Sequence, residues 1–379
     1  MVSVQIDVVP SVLEWAIKES RINPSIIEIK QPKLKDWIAQ ISKPTFVQLK
    51  NLSEFLRVPF GYMFLNEPPM HNVFDVEFRT LNNELNERPS KELEDILIDI
   101  KYKQNWISEI RKNDGYEPID LVGYCSRKSG NIVVDLNAIL DIPKDWFFTQ
   151  KDEDKAFAYL RQKIEDKGIF VMVNGIVIDD THRKLPIEEF RAFVLVDEYA
   201  PFIFINRNDS KKAMIFSLIH EFLHILFNTD DILNLNDFKD EIDLERKINK
   251  LTADFLCPES FIKQNWDNNI DLKENIECFS EILKVSKIVV AIAMNSYQLI
   301  SNQLVEEIKN ETDQIIKYYF KETKSGGDYY NNKVNRLSER FIDAVINHAE
   351  TGNLQFTEAF KLLNVKGSTY DQLKAKRMM

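Results

Sequence analysis

Three cysteines, ten glycines and five histidines are few for 379 residues, and each shortage excludes something. Cys125, Cys257 and Cys278 are too widely spaced for a disulfide framework or a cysteine zinc site. They read as buried free thiols in a reducing cytoplasm. With so little glycine there is no low-complexity linker, and no repeat at solenoid spacing is present. No run of about 20 apolar residues exists, which excludes a membrane-spanning helix. The segment from Val2 to Val9 is short, carries Asp7 and lacks a basic flank, so no secretion signal is expected. Basic charge is also short: the net charge is -11 and the isoelectric point about 5.2, so any contact with DNA must come from a local patch. These absences point to a cytoplasmic protein with no membrane partner.

The chain does have ordinary globular composition, 44% hydrophobic and 29% charged, over a length that suits two or three domains. Its most informative stretch is Ile215-Phe216-Ser217-Leu218-Ile219-His220-Glu221-Phe222-Leu223-His224-Ile225-Leu226-Phe227, three ionisable groups inside an apolar run. On a helix, residues four apart share a face, so His220 and His224 can reach one metal ion, with Glu221 turned aside toward a metal-bound water. Decoration of a solvated helix would not place leucine, isoleucine and phenylalanine all around these groups. Burying Glu221 beside two imidazoles without a partner is costly, and a metal removes that cost.

Upstream, Val12 to Leu65 reads as short helices separated by Pro24, Pro32, Pro44 and Pro59. The expected bundle contacts are Leu13, Ala16 and Ile17, then Ile26, Ile27 and Ile29, then Leu34, Trp37, Ile38 and Ile41, then Val47, Leu49, Leu52, Phe55 and Leu56. Ser90 to Lys112 predicts a long helix with Leu93, Ile96, Leu97, Ile100, Trp106, Ile107 and Ile110 on one face and Gly115 beyond its end. Lys151 to Lys167 predicts another. After Gly168 the period becomes that of strands: Ile169 to Val173, Asn174-Gly175 and Ile176 to Ile178 predict a tight hairpin. Phe193 to Val196 and Phe202 to Ile205 predict a second strand pair. A small sheet therefore precedes the histidine helix, and one of its edges can hold an extended peptide.

A catalytic zinc needs a third protein ligand. From Leu244 to Leu256 the apolar residues Ile248, Leu251, Phe255 and Leu256 define a buried stripe, with Pro258 ending the helix. Glu245 lies on the same face, which makes it the first candidate; Glu241, one turn earlier, is the alternative. Asp254 falls to the side, toward solvent, and Asn249 either orients Glu245 or is a surface amide. His182 and Tyr199 are polar groups near the sheet, more often structural than catalytic.

The stretches Phe202 to Asn206, Phe216 to His224, Glu245 to Asn249 and Ala253 to Pro258 together resemble the ImmA/IrrE metallopeptidases, which inactivate helix-turn-helix repressors. The resemblance implies Zn²⁺ on His220, His224 and Glu245, with Glu221 as the catalytic base. Lys211-Lys212, where members often carry arginine, and Ile248, in place of a frequent alanine, depart from the family without touching the chemistry. Trp37, Pro44-Thr45-Phe46, Leu49, Leu52, Val58-Pro59-Phe60-Gly61 and Phe64-Leu65 resemble the XRE-type helix-turn-helix domains found fused to such peptidases. The resemblance extends to Gly326-Gly327-Asp328-Tyr329-Tyr330 and Phe341-Ile342, and Phe279 to Ile300 and Thr357 to Leu373 have helix-turn-helix texture.

The expected fold class is α+β, mainly helical: a small zincin-like sheet plus the HExxH helix, flanked by helical N- and C-terminal domains. The expected domains are 1–70 (XRE-like), 71–150 (helical connector), 151–262 (zincin-like peptidase) and 263–379 (helical). The resemblance implies an endopeptidase whose protein substrate is a helix-turn-helix repressor. A second reading is an antitoxin or transcriptional regulator that binds a cognate toxin and its own promoter, with the zinc site structural or conditionally active. DNA is a candidate partner in either case, although residues 1–70 hold eight Lys or Arg against seven Asp or Glu, without a basic stripe.

Overall fold

The computed structural model describes residues 5–69, 89–127, 134–229, 238–319 and 336–377, with backbone alone at 238–241 and 313–319. Glu77-Phe78-Arg79-Thr80, Asp230, Asp231, Asp237 and Gly326 to Tyr330, which figured in the sequence reading, lie outside the described residues. The chain divides into two compact units, residues 1–77 and 78–379. None of the described helices is long and apolar enough to cross a membrane.

The first unit is a small helical bundle of α1 (Pro10–Ser20), α2 (Pro24–Lys30), α3 (Leu34–Ile38) and α4 (Phe46–Leu56), closed by a 3-10 turn at Phe60–Phe64. Pro10 and Pro24 open their helices, where a missing N–H costs nothing. Thr45 and Gln48 form a reciprocal capping box at the start of α4. Leu13, Ala16, Ile27, Leu34, Trp37, Leu49, Leu52 and Leu56 make the core. Ile26, Ile29, Ile41 and Val47, expected inside, stand exposed, because helices this short turn only one face inward.

In the second unit α5 (Lys91–Asn113) is capped by the Ser90 side chain and closes at Gly115, whose φ of 76° lets the N–H groups of Gly115 and Tyr116 bond back to the carbonyls of Lys112 and Arg111. Its inward face carries polar groups with specific partners: Gln104 donates to the carbonyls of Leu195 and Ala200 at 2.7 and 2.9 Å, and Arg111 to those of Gly168 and Tyr199. The connector is thereby tied to the sheet. Helices α6 (Leu136–Leu140) and α7 (Glu153–Asp166) follow.

The strands are β1 (Phe170–Asn174), β2 (Ile176–Val177), β3 (Asp180–Lys184), β4 (Ala192–Leu195) and β5 (Phe202–Asn206). The β4–β5 pair is antiparallel as expected, but the β1–β2 hairpin is not formed. Instead β1 runs parallel to β5, giving the order β1-β5-β4, while β2 pairs with β3 in a separate small sheet. Asn174-Gly175 does not make the expected turn. The Asn174 carboxamide accepts from the N–H groups of Gly175 and Ile176, and Asn208 donates to the Gly175 carbonyl at 2.7 Å. Gly175 is needed for that close approach, since a Cβ there would sit 2.3 Å from the Asn208 Oδ1.

Both faces of the three-stranded sheet are covered, so its strands read as continuous apolar runs. Val171, Val173, Val194, Ile203 and Ile205 face a core shared with α7, α8 (Lys211–Phe227), α9 (Phe238–Leu256), α10 (Glu259–Gln264), α11 (Leu272–Leu283), α12 (Lys287–Ser296) and α13 (Asn302–Tyr319). Phe170, Met172, Phe193, Phe202 and Phe204 face α5, α14 (Glu339–Glu350), α15 (Phe356–Leu363) and α16 (Gly367–Arg377). The class is α+β, mainly helical, as the sequence implied. The two cores run across the boundaries expected at 150 and 262, because the sheet needs helices from both flanking segments to bury its faces.

Candidate metal centre

The centre is built on α8. Ser210 caps it by accepting from the Ala213 N–H at 3.2 Å, and Met214, Ile215, Leu218, Ile219, Phe222, Leu223, Ile225 and Leu226 are fully buried. A helix apolar on all sides belongs inside a domain, and α8 lies between the sheet and α9. Burial of this helix fixes its rotation, so its polar residues cannot turn toward bulk water.

His220 and His224 bring their Nε2 atoms to 3.1 Å of one another, with Phe216 stacked on the His220 ring one turn earlier. From α9, Glu245 presents Oε2 to His220 Nε2 at 3.5 Å and Oε1 to His224 Nε2 at 3.2 Å. His224 is 1% exposed and Glu221, on the same helix, 4%. The Glu245 side chain is 39% exposed, so the centre opens on the α9 side.

The donor set fits a metal ion. A tetrahedral Zn²⁺ with bonds of about 2.0–2.1 Å sets its donor atoms about 3.3 Å apart. The two imidazole nitrogens are 3.1 Å apart, each has a Glu245 oxygen at 3.5 or 3.2 Å, and one ligand atom from each residue lies within 4.8 Å of the others. Two neutral imidazoles and one carboxylate leave room for a water, the pattern of a catalytic rather than a structural site.

The residues flagged in the sequence divide clearly. His220, His224 and Glu245 come together, with Glu221 buried beside them. The Glu241 side chain lies outside the described atoms. Asp254 is part-exposed: it pairs with the exposed Lys250 and also accepts from the Tyr297 hydroxyl at 3.1 Å, and burial together with this carboxylate pushes the Tyr297 phenol well up. Asn249 is exposed, the surface alternative. His182 is exposed on β3, and the Tyr199 ring lies against Lys112 of α5. Thr229 was not foreseen; its Oγ1 lies 2.9 Å from His224 Nδ1. Nor was the segment 123–126, whose Gly123 and Cys125 N–H groups and Ser126 hydroxyl bond the carbonyls of Ile225, Leu226 and Phe227. Asn228, polar and directly after the apolar run, was the available signal for a helix end there.

Residues 167–295, about a third of the chain, match a peptidase family model described as the IrrE N-terminal-like domain. That span holds β1 to β5, α8 and α9, and with them His220, Glu221, His224 and Glu245, so this part of the chain is similar to a peptidase of a metal-dependent kind. Residues 337–377, which cover the far face of the sheet, match a domain of unknown function, DUF8813. No curated protein and no solved structure matches the chain.

Proposed function

We propose that the chain is a zinc-dependent endopeptidase that acts inside the cell on a regulatory protein, a helix-turn-helix repressor. The observation that carries this reading is the convergence of His220, His224 and Glu245 on one point, with Glu221 on the same helix as the histidines. When bound there, Zn²⁺ polarises a scissile carbonyl and lowers the pKa of its water to about 7. His220, His224 and Glu245 hold the ion. Glu221 takes a proton from the attacking water and delivers it to the leaving amine. The apolar residues of α8 bury Glu221 and His224 on the helix side of the centre, which strengthens the pull of their charges and dipoles on the reacting groups.

Sheet order supports a peptide substrate. Strand β4 stands at the edge of the three-stranded sheet and packs against α8, the helix that carries the histidines, so an edge strand that an extended chain can pair with belongs to the same packed layer. A protein partner is also favoured by the first unit, where Ile29, Ile41 and Val47 are 80, 77 and 64% exposed. A DNA reader would instead show a clear basic stripe, whereas residues 1–70 hold eight Lys or Arg against seven Asp or Glu, and exposed Lys35, Lys43 and Lys50 each stand beside an acid. Three free cysteines, Cys125 and Cys257 buried and Cys278 exposed rather than buried as expected, suit a reducing compartment.

The test is co-expression with the helix-turn-helix repressor encoded nearest the gene, read by mass spectrometry of repressor fragments. The parent yields a discrete cut and Glu221→Gln leaves the repressor intact. Equal fragmentation with both chains would sink the assignment of Glu221. If the neighbouring gene instead encodes a small nuclease that the chain binds without cutting, the antitoxin reading replaces this one.

A further inference from the structure

The helix that carries the histidines ends in a way that reaches back to one of them. Asn228 adopts the left-handed conformation, φ 58° and ψ 49°, which asparagine tolerates better than most residues. Its N–H bonds the Ile225 carbonyl at 3.1 Å, and the next N–H, that of Thr229, bonds the His224 carbonyl at 3.1 Å. This pair of bonds defines a Schellman turn, which folds the second residue past the helix end over the residue five positions before it. That contact is commonly apolar. Here it is a hydroxyl on an imidazole: Thr229 Oγ1 sits 2.9 Å from His224 Nδ1.

We infer that Thr229 is a positioning residue that selects Nε2 of His224 as its metal-binding atom and holds the ring in the binding orientation; this rests on the reading of His220, His224 and Glu245 as a metal centre. An imidazole offers one lone pair when neutral, and the hydrogen bond at the other nitrogen decides which. With Nδ1–H donating to Thr229 Oγ1, the Nε2 lone pair points at the space bounded by His220 Nε2 and Glu245 Oε1, 3.1 and 3.2 Å away. A hydroxyl can also donate to Nδ1, so the same residue serves the metal-free ring, whose Nε2–H then reaches the carboxylate. A carboxylate in this place could only accept.

The turn is held from outside as well. The Gly123 N–H bonds the Ile225 carbonyl at 3.0 Å and the Cys125 N–H the Leu226 carbonyl at 2.7 Å, while Ser126 donates to the Phe227 carbonyl. Gly123 has φ 71°, and a Cβ there would lie 3.4 Å from that of Asn228, so the segment lies close along the turn. The terminal carbonyls of α8 are thus satisfied by a neighbouring segment, and Thr229 is fixed relative to His224 without help from a ligand.

Three variants of the full chain and one spectrum test this. Thr229→Val keeps the shape and removes the hydrogen bond; Thr229→Ser keeps the hydroxyl. Zinc affinity by competition with a chelating dye is expected to fall about 10–100-fold in Thr229→Val and to stay within about threefold of the parent in Thr229→Ser. Equal affinity for Val and parent, or equal loss in Val and Ser, overturns the role of the hydroxyl. Imidazole ¹⁵N–¹H spectra of the zinc-loaded parent give a second readout that needs no variant to fold: a proton on His224 Nδ1 is expected, and metal on Nδ1 overturns the proposal. Glu245→Ala separates the two levels. If it leaves zinc affinity unchanged, the metal-centre reading fails; if it abolishes binding while Thr229→Val binds as the parent does, only the role of Thr229 fails.

Discussion

At the residue scale, the centre depends on four side chains with two different jobs. Glu221→Gln keeps the volume of a side chain that is 4% exposed and leaves the three metal-holding groups in place. It is expected to bind zinc as the parent does and to cleave at least about 100-fold more slowly, measured by metal analysis and single-turnover cleavage of the same protein. His220, Glu221 and His224 were legible in the sequence because helical spacing alone puts i and i+4 on one face. Glu245 was legible only as the better of two acids, since its role depends on how α9 packs on α8. Thr229 was not legible: nothing in its residue type marks a contact that arises from the backbone reversal at Asn228. Lys103 makes a different prediction. It is fully buried and paired with Asp99, and burial pushes its ammonium below the ordinary lysine range. Between that lowered value and the ordinary one, the unfolded chain holds more protons than the folded chain, so this residue makes stability rise with pH across that window. Denaturant titrations of parent and Lys103→Met at a series of alkaline pH values should differ by this rising component, and parallel curves would contradict it.

At the element scale, the most instructive difference concerns Asn174-Gly175. Two apolar runs on either side of Asn-Gly are a strong local signal for a hairpin. Tertiary pairing won instead: β1 takes β5 as its parallel partner, with Phe170 opposite Phe202 and Met172 opposite Phe204, and both strands are buried on both faces. A two-residue β2 had too little to offer in competition. Glycine at 175 is then a matter of space rather than of turn type. Gly175→Ala should force the Asn208 carboxamide away from the carbonyls of Gly175 and Leu185 and cost about 1–3 kcal/mol, read as a lower unfolding midpoint in urea. An unchanged midpoint would mean that Asn208 adapts freely. The helix α5, by contrast, was legible nearly to its ends, because apolar periodicity, Ser90 as cap and Gly115 at the closing turn all act locally. Helix α9 begins a turn and more before the expected Leu244, and α13 was not foreseen.

At the scale of the whole molecule, the sheet organises the second unit. One face carries α8 and the candidate centre; the other is covered by α5 and by the segment that matches a domain of unknown function. Phe341 of α14 lies edge-on to Phe170 and Phe202 at 6.3 and 6.0 Å, and Arg161 donates to the Leu337 carbonyl at 2.7 Å, so this segment is packed as core rather than appended. Removal of residues 336–377 would bare a phenylalanine-rich sheet face, and the truncated chain is expected to aggregate on expression. A soluble truncated monomer with the parent's melting temperature would contradict that role. Sequence patterning showed helical texture from Thr357 to Leu373 but neither α14 nor the place of these helices, because periodicity tells which face is buried and not against what.

The central claim is that α8 and α9 together make a zinc centre. Metal analysis of purified parent and Glu245→Ala, each with its fold checked by circular dichroism, tests it most directly. One zinc per parent chain and little or none in the variant is expected; a folded Glu245→Ala that keeps a full equivalent of zinc would contradict a centre shared by the two helices.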